Sequence, residues 1–251
     1  MTISAGQYLE RIGVAPSELP WDGSRLRELQ VAHLLTVPFE NLDVFHRRGV
    51  ATDVAWSLPK VVERRRGGWC FELNGAFGWL LRELGYDVDY VSCQVFGDDG
   101  LGPALDHCAL FVHLDGHRWF VDVGFGDCCM VPVRIEDGEH DAAPRRVRFT
   151  IDGDSFRLAE LALDGTWRDS LQGTFQPRTL DDFTPRSVFL QTEPGLPWTT
   201  RPFATRATAP DGSRVILRSN VLRVREGCGE FVDTPIDEGQ FDQLLFEHFE
   251  L

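Results

Sequence analysis

The hydrophobic period of this chain changes near Gly85, and that change limits what the chain can fold into. Before it, apolar residues recur every three to four positions, the spacing of a helix with one buried face. After it, they alternate along VDYVSCQVF, CALFVHLDGHRWFVDVGF, RRVRFTIDG and SFRLAELALDGTWR, with Asp-Gly pairs between several of the runs. Alternation broken by Asp-Gly is the pattern of antiparallel strands joined by tight turns. Helices followed by strands predict an α+β fold, with a sheet or small barrel over about residues 86 to 180.

Within the helical part, Ser4 is expected to cap a segment that ends near Ile12 with Gly13 as its stop. Ser24 is expected to open a longer helix in which Leu26, Leu29 and His33 or Leu34 recur until Pro38. Residues 58 to 65 form a third, short helix before Gly67-Gly68. In CFELNGAFGWLLRELGY, Leu73, Phe77, Leu80, Leu81 and Leu84 make one apolar stripe, and Gly85 suits the position after the last turn. Further on, TPRSVFLQTEPGLPWTTRPF carries four prolines without a clean period and reads as a connecting segment. ATRATAPDGSRVILRSNVLRVRE then predicts two strands around a turn, and residues 236 to 249 a closing helix.

A chain of 251 residues is long enough to bury a substantial core, and its net charge of −14 excludes the basic surface that non-specific nucleic-acid or anionic-membrane binding needs. No basic segment followed by an apolar one opens the sequence, and no run of about 18 apolar residues occurs, so a soluble, cytoplasmic protein is expected. The six cysteines (70, 93, 108, 128, 129 and 228) are then read as reduced. Cys128, Cys129, Cys108 and His107 lack the spacings that bring ligands to one ion, and no metal is expected.

Cys70 stands at the start of a helix, after Gly67-Gly68 and close in sequence to Arg64, Arg65 and Arg66, a setting that favours a thiolate. Free cysteine is also among the most buried residue types, so nucleophile and core filler both remain open readings. A candidate base comes from the hairpin around Asp115-Gly116. If its pairing continues, Phe111 faces Phe120, Ala109 faces Asp122 and His107 faces Gly124, which makes His107 and Asp122 diagonal neighbours on one face. Asp122 lies between Val121 and Val123, where a carboxylate needs a hydrogen-bond partner, and His107 can supply one. The other histidines read as surface or packing residues.

VPFENL at 37 to 42, RGGWCFELNGAF at 66 to 77, DHCAL at 106 to 110, VDVGFG at 121 to 126, the QTEPGLPW region at 191 to 198 and PDGSRVILRSN at 210 to 220 together resemble the arylamine N-acetyltransferases over nearly the whole chain. The resemblance implies a helical bundle (residues 1–85), a β-barrel (86–190) and a C-terminal α/β lid (191–251), around a core like that of cysteine proteases and transglutaminases. It implies Cys70 as acyl-accepting nucleophile, His107 as base and Asp122 as the residue orienting it. It also implies acetyl-CoA as co-substrate, an arylamine or hydrazine as acceptor, Gly124 and Gly126 as glycines beside the cofactor, and Phe39, Val95 and Phe125 as pocket walls. The blander readings are a strand-end bulge for the glycines and plain core for Phe39 and Val95. Glu40 and Asn41 are expected to fix local structure. Two other functions share the fold: an amide synthase acting on a carrier-bound acyl chain, and a non-catalytic small-molecule binder.

Overall fold

The computed structural model describes residues 3–16 and 22–251. Ser4 caps α1 (Ala5–Arg11) through a reciprocal pair with Gln7, as its sequence predicts. α2 (Gly23–Thr36) starts one residue before Ser24, because the Asp22 carboxylate accepts from the amides of both Ser24 and Arg25. After α3 (Leu42–Phe45), the helix expected over 58–65 begins earlier, as α4 (Val54–Leu58) capped by Asp53. It continues through a widened turn at Pro59–Glu63. Proline lacks the N–H that would carry a regular ladder across this point. α5 (Cys70–Glu83) buries the predicted stripe, with Leu73, Phe77, Leu80 and Leu81 fully enclosed, and Gly85 follows it with φ +93°.

The run after Gly85 forms β2 (Asp87–Gly97), β3 (Gly100–Leu101), β4 (His107–Leu114), β5 (His117–Val121), β6 (Val133–Arg134), β7 (Gly138–Asp141), β8 (Arg146–Asp152), β9 (Ser155–Leu161) and β10 (Trp167–Arg178). All pair antiparallel in the order β6-β5-β4-β2-β10-β9-β8-β7, with β3 added on β2. Its end strands β6 and β7 touch, which nearly closes the sheet into a barrel. Phe111, Phe120, Phe149, Phe156 and Leu171 fill the interior, while α5 packs against the outer side of β2 and β4.

The segment expected to be a plain connection holds α6 (Thr184–Thr192) and α7 (Pro197–Thr200), each with a proline in its first turn, where the missing N–H costs nothing. Beyond it lie four strands: β11 (Phe203–Ala207), β12 (Arg214–Arg218), β13 (Val221–Arg225) and β14 (Val232–Pro235). Three of them fall in the stretch predicted to hold two. β11 also pairs with β1 (Phe39–Glu40), giving a five-stranded sheet in the order β1-β11-β12-β13-β14. α8 (Phe241–Phe249) covers one face of this sheet, closing Ala204, Val215 and Leu217 over Leu245 and Phe249. Among the described residues no helix is long and apolar enough to cross a membrane.

A buried ion cluster pins the start of α5. Lys60 Nζ lies 2.8 Å from Glu72, 2.9 Å from Asp43 and 3.9 Å from Glu40, and Arg66 reaches Glu40 at 2.8 Å. Glu72 also accepts from the Trp69 amide and the Trp56 indole. Burial alone would lower the pKa of Lys60, but the three carboxylates raise it above the ordinary lysine value. Lys60→Met leaves Glu72 with no cation, and Glu40 and Asp43 with only Arg66 and the more exposed Arg48, and is expected to cost about 3–5 kcal/mol. The loss should appear as a lower urea midpoint at unchanged slope, partly recovered by adding Glu72→Gln. A change below about 1 kcal/mol would show that the cluster holds nothing in place.

Candidate active site

Cys70 is the first helical residue of α5, and the glycines before it permit a close approach. Gly68 runs beside Phe39 as a parallel bridge, and a Cβ on Gly67 would sit 2.0 Å from the Pro38 carbonyl oxygen. The glycine pair therefore packs the loop before Cys70 against β1. The neighbouring arginines do not gather at the thiol as their sequence proximity suggests. Arg66 is engaged by Glu40 and Asp43, and the Arg64 guanidinium lies over the Trp56 ring.

His107 opens β4, paired with Cys93 of β2. The hairpin keeps the predicted register from Leu114↔His117 through Phe111↔Phe120 to Leu110↔Val121, and there it ends. Asp122 and Gly124 lie past the ladder rather than in it. His107 and Asp122 meet nonetheless, with Nε2 and Oδ2 2.6 Å apart and both residues buried. Asn74, one turn beyond Cys70 on the same helix face, supports the departing strand. Its Oδ1 accepts from the Val123 amide at 3.0 Å, and its Nδ2 donates to Asp122 Oδ1 at 2.8 Å and to the Cys108 carbonyl at 2.7 Å. The Gly124 amide gives Asp122 Oδ1 a further donor at 2.8 Å. Asn74 is the residue that sequence reasoning missed. The available signal was an asparagine one turn after the cysteine in a helix whose surroundings are apolar.

The Cys70 side chain also adjoins the His107 ring, close enough to act on its charge. With Nε2 taken by Asp122, Nδ1 is the nitrogen left for sulfur. Burial would push the His107 pKa down, but the Asp122 carboxylate and the Cys70 side chain overcome it and carry the value up to about 10. The site therefore favours a proton on His107 at neutral pH. His33, by contrast, is enclosed beside Tyr8 and Phe77, and burial takes its pKa down to about 3, as fits a packing residue.

Gly124 and Gly126 have different surroundings. A Cβ on Gly124 would come within 2.7 Å of Cys70 Cα and Asn74 Nδ2, so its missing side chain admits the nucleophile helix on that side. Gly126 lines a cavity of about 820 Å³ with Phe39, Phe125, Phe203 and Ile216. The Phe125 ring stands edge-on to His107 at 5.1 Å between centroids, which brings the cavity wall to the triad. Val95 is not in this wall. It faces Leu171 in the sheet and packs with the barrel interior, since the alternation of β2 fixes its side. Glu40 and Asn41 do fix local structure: Glu40 accepts the Leu42 amide, and Asn41 binds the carbonyls of Trp198 and Arg201 and the amide of Phe203. Among the described residues no group of three metal-ligating side chains converges.

Residues 24–251 match the N-acetyltransferase family model. The arylamine N-acetyltransferase of Mycolicibacterium smegmatis is 36% identical over 241 residues, covering 92% of this chain and 86% of that protein. Among solved structures, the M. smegmatis arylamine N-acetyltransferase superposes with a TM-score of 0.90 at 32% identity, over 100% of this chain and 93% of that one. The Mycobacterium marinum enzyme in complex with CoA gives 0.88 at 28% identity, over 98% and 91%. With His107 bonded to Asp122 beside Cys70 and this likeness running the length of the fold, the chain belongs to the arylamine N-acetyltransferase family and is an enzyme of that acyltransferase type.

Proposed function

We propose that this enzyme transfers an acetyl group from acetyl-CoA to an arylamine or hydrazine through a thioester on Cys70. The observation that carries the proposal is the 2.6 Å bond between His107 Nε2 and Asp122, made by a ring that the Cys70 side chain adjoins and whose Nδ1 is left for the sulfur. His107 takes the thiol proton, and the sulfur attacks the thioester carbonyl of the donor. The Cys70 backbone N–H, at a helix start where amides lack intrahelical partners, is placed to donate to the oxyanion. Collapse breaks the carbon–sulfur bond to CoA, whose thiolate takes the proton back from His107 and leaves. The amine then attacks the acyl-enzyme, His107 accepts its proton, and collapse releases the amide and restores the thiol. Two half-reactions on one sulfur give ping-pong kinetics. A neighbour solved with CoA supports this donor for the present chain. The same order of nucleophile helix followed by base-bearing strands supports the cysteine-protease-like core that the sequence implies.

Intact-protein mass spectrometry after incubation with acetyl-CoA tests the proposal. One acetyl group on the Cys70 peptide, released on adding an arylamine, is the expected result. An unmodified protein, or an adduct on another residue, would overturn it.

A further inference from the structure

The C-terminal sheet has two unlike faces. Ala204, Val215 and Leu217 point to α8, while the alternate positions Phe203, Thr205, Ile216 and Arg218 line the 820 Å³ cavity. Cα pairing puts Arg214 opposite Arg225, Ile216 opposite Arg223 and Arg218 opposite Val221, so four arginines share the cavity-side face. That is a concentration of positive charge on a chain with 39 acidic and 25 basic residues.

Asp127 is the one carboxylate in the cavity lining among the described residues, and its charge is already taken. Arg225 holds it through both oxygens, Nη2 at 2.8 Å and Nη1 at 2.5 Å, and Arg214 Nε lies 3.2 Å away. Both arginines are almost fully buried. Two guanidiniums on one carboxylate leave the floor of the cavity positive. Arg223 is paired with Asp233, whereas the guanidiniums of Arg218 and Arg201 have no partner among the described residues, and both side chains are exposed at the cavity rim. Arg201 stands two residues before Phe203, which pairs with Arg218, so both lie at the same end of the β11–β12 ladder. Asn41 binds the Arg201 carbonyl and fixes that backbone.

We infer that Arg201 and Arg218 bind the phosphates of the acyl-CoA donor at the cavity rim while its pantetheine arm runs inward along Phe39, Phe203 and Phe125 toward Cys70. This deepens the reading above and rests on it for the donor's identity. Apolar walls inside and free cations outside match a ligand that is anionic at one end and reacts at the other. An acceptor carboxylate shares the anionic chemistry, and the phosphates are preferred because they carry several charges that must be held against the field of a −14 protein.

The test measures binding rather than turnover, and so does not depend on acylation of Cys70. Dissociation constants for CoA, dephospho-CoA and pantetheine are compared in wild type, Arg201→Gln and Arg218→Gln, with Arg134→Gln, a surface arginine paired with Glu136, as control. Each rim variant is expected to weaken CoA about tenfold, the value of one charge-assisted contact, and to narrow the gap between CoA and pantetheine by the same factor. The control should bind CoA like wild type. CoA binding unchanged in both rim variants, or an equal loss for CoA and pantetheine, overturns the proposal. So does a loss confined to a carboxylate-bearing arylamine, which would assign the arginines to the acceptor. If CoA binding follows the expected pattern while Cys70 stays unacetylated, the thioester mechanism fails and the phosphate site stands.

Discussion

Cys70→Ala is expected to abolish acetyl transfer, with kcat falling by on the order of 10⁶, the scale seen when the nucleophile of a triad is removed. Burial raises the pKa of Cys93, and of Cys108, well above the ordinary thiol value. Cys128 is raised too, through its contact with Cys129, with burial adding to it. Cys228 is exposed, and no contact joins it to His107 or Asp122. Among the described residues no other cysteine therefore stands beside the His107–Asp122 pair with a thiol that burial does not hold protonated. Losing one small, mostly buried side chain should cost about 1 kcal/mol of stability, so circular dichroism and the melting transition should remain close to wild type. Cys228→Ala should turn over normally. Assays with acetyl-CoA and an arylamine decide the matter: activity within a few fold of wild type in the Cys70 variant would rule out the thioester route.

Asp122→Asn is expected to lower kcat/KM by about 10⁴, as the equivalent change does in serine triads. Asp122 Oδ1 accepts from Asn74 Nδ2 and the Gly124 amide, so an asparagine placed here must keep its carbonyl oxygen on that side. Its NH₂ then faces His107 Nε2 in place of Oδ2. Nε2 has to become the acceptor, which leaves the ring proton on Nδ1 beside sulfur, and the ring can no longer accept from the thiol. The charge that raised the His107 pKa to about 10 is lost with the carboxylate.

The same substitution has a pH signature. A histidine whose pKa is raised on folding adds stability that is fully present below about pH 6.5, its unfolded value, and is lost as pH rises through the folded value near 10. The stability gap between wild type and Asp122→Asn should therefore be widest below pH 6.5 and narrow toward pH 10. Urea unfolding across that range, together with the rate of iodoacetamide alkylation at Cys70, distinguishes the catalytic from the structural role. Alkylation within a few fold of wild type and a stability gap independent of pH would leave Asp122 as an ordinary buried acid.

How much of this was readable from the chain alone depends on how far apart the interacting residues lie. The change of period near Gly85 marked where the first run of helices gives way to the barrel strands, and Asp115-Gly116 set a hairpin register that the structure keeps through Val121. Ser4 and Gly85 marked helix ends because capping acts over three or four residues. In each case the physics is local, and sequence spacing reports it directly. The contact of His107 with Asp122 was also foreseen, but its geometry was not. The strand leaves the ladder after Val121, and Asn74, 49 residues earlier, takes up the Val123 amide. The resemblance put Val95 in the pocket with core as the other reading, and the sheet pairs it with Leu171 and packs it with the barrel interior, a side that its neighbours in sequence do not mark. The proline-bearing helices α6 and α7 escaped detection because their stretch shows no clean period, and α7 is tied at its end by Asn41, some 160 residues away. Likewise β1 joins a sheet whose other strands all lie beyond residue 200, and Asp127 finds Arg225 across 98 positions. Pairings of that span leave no period in either segment, since the buried polar groups find their partners only when distant parts of the chain pack together.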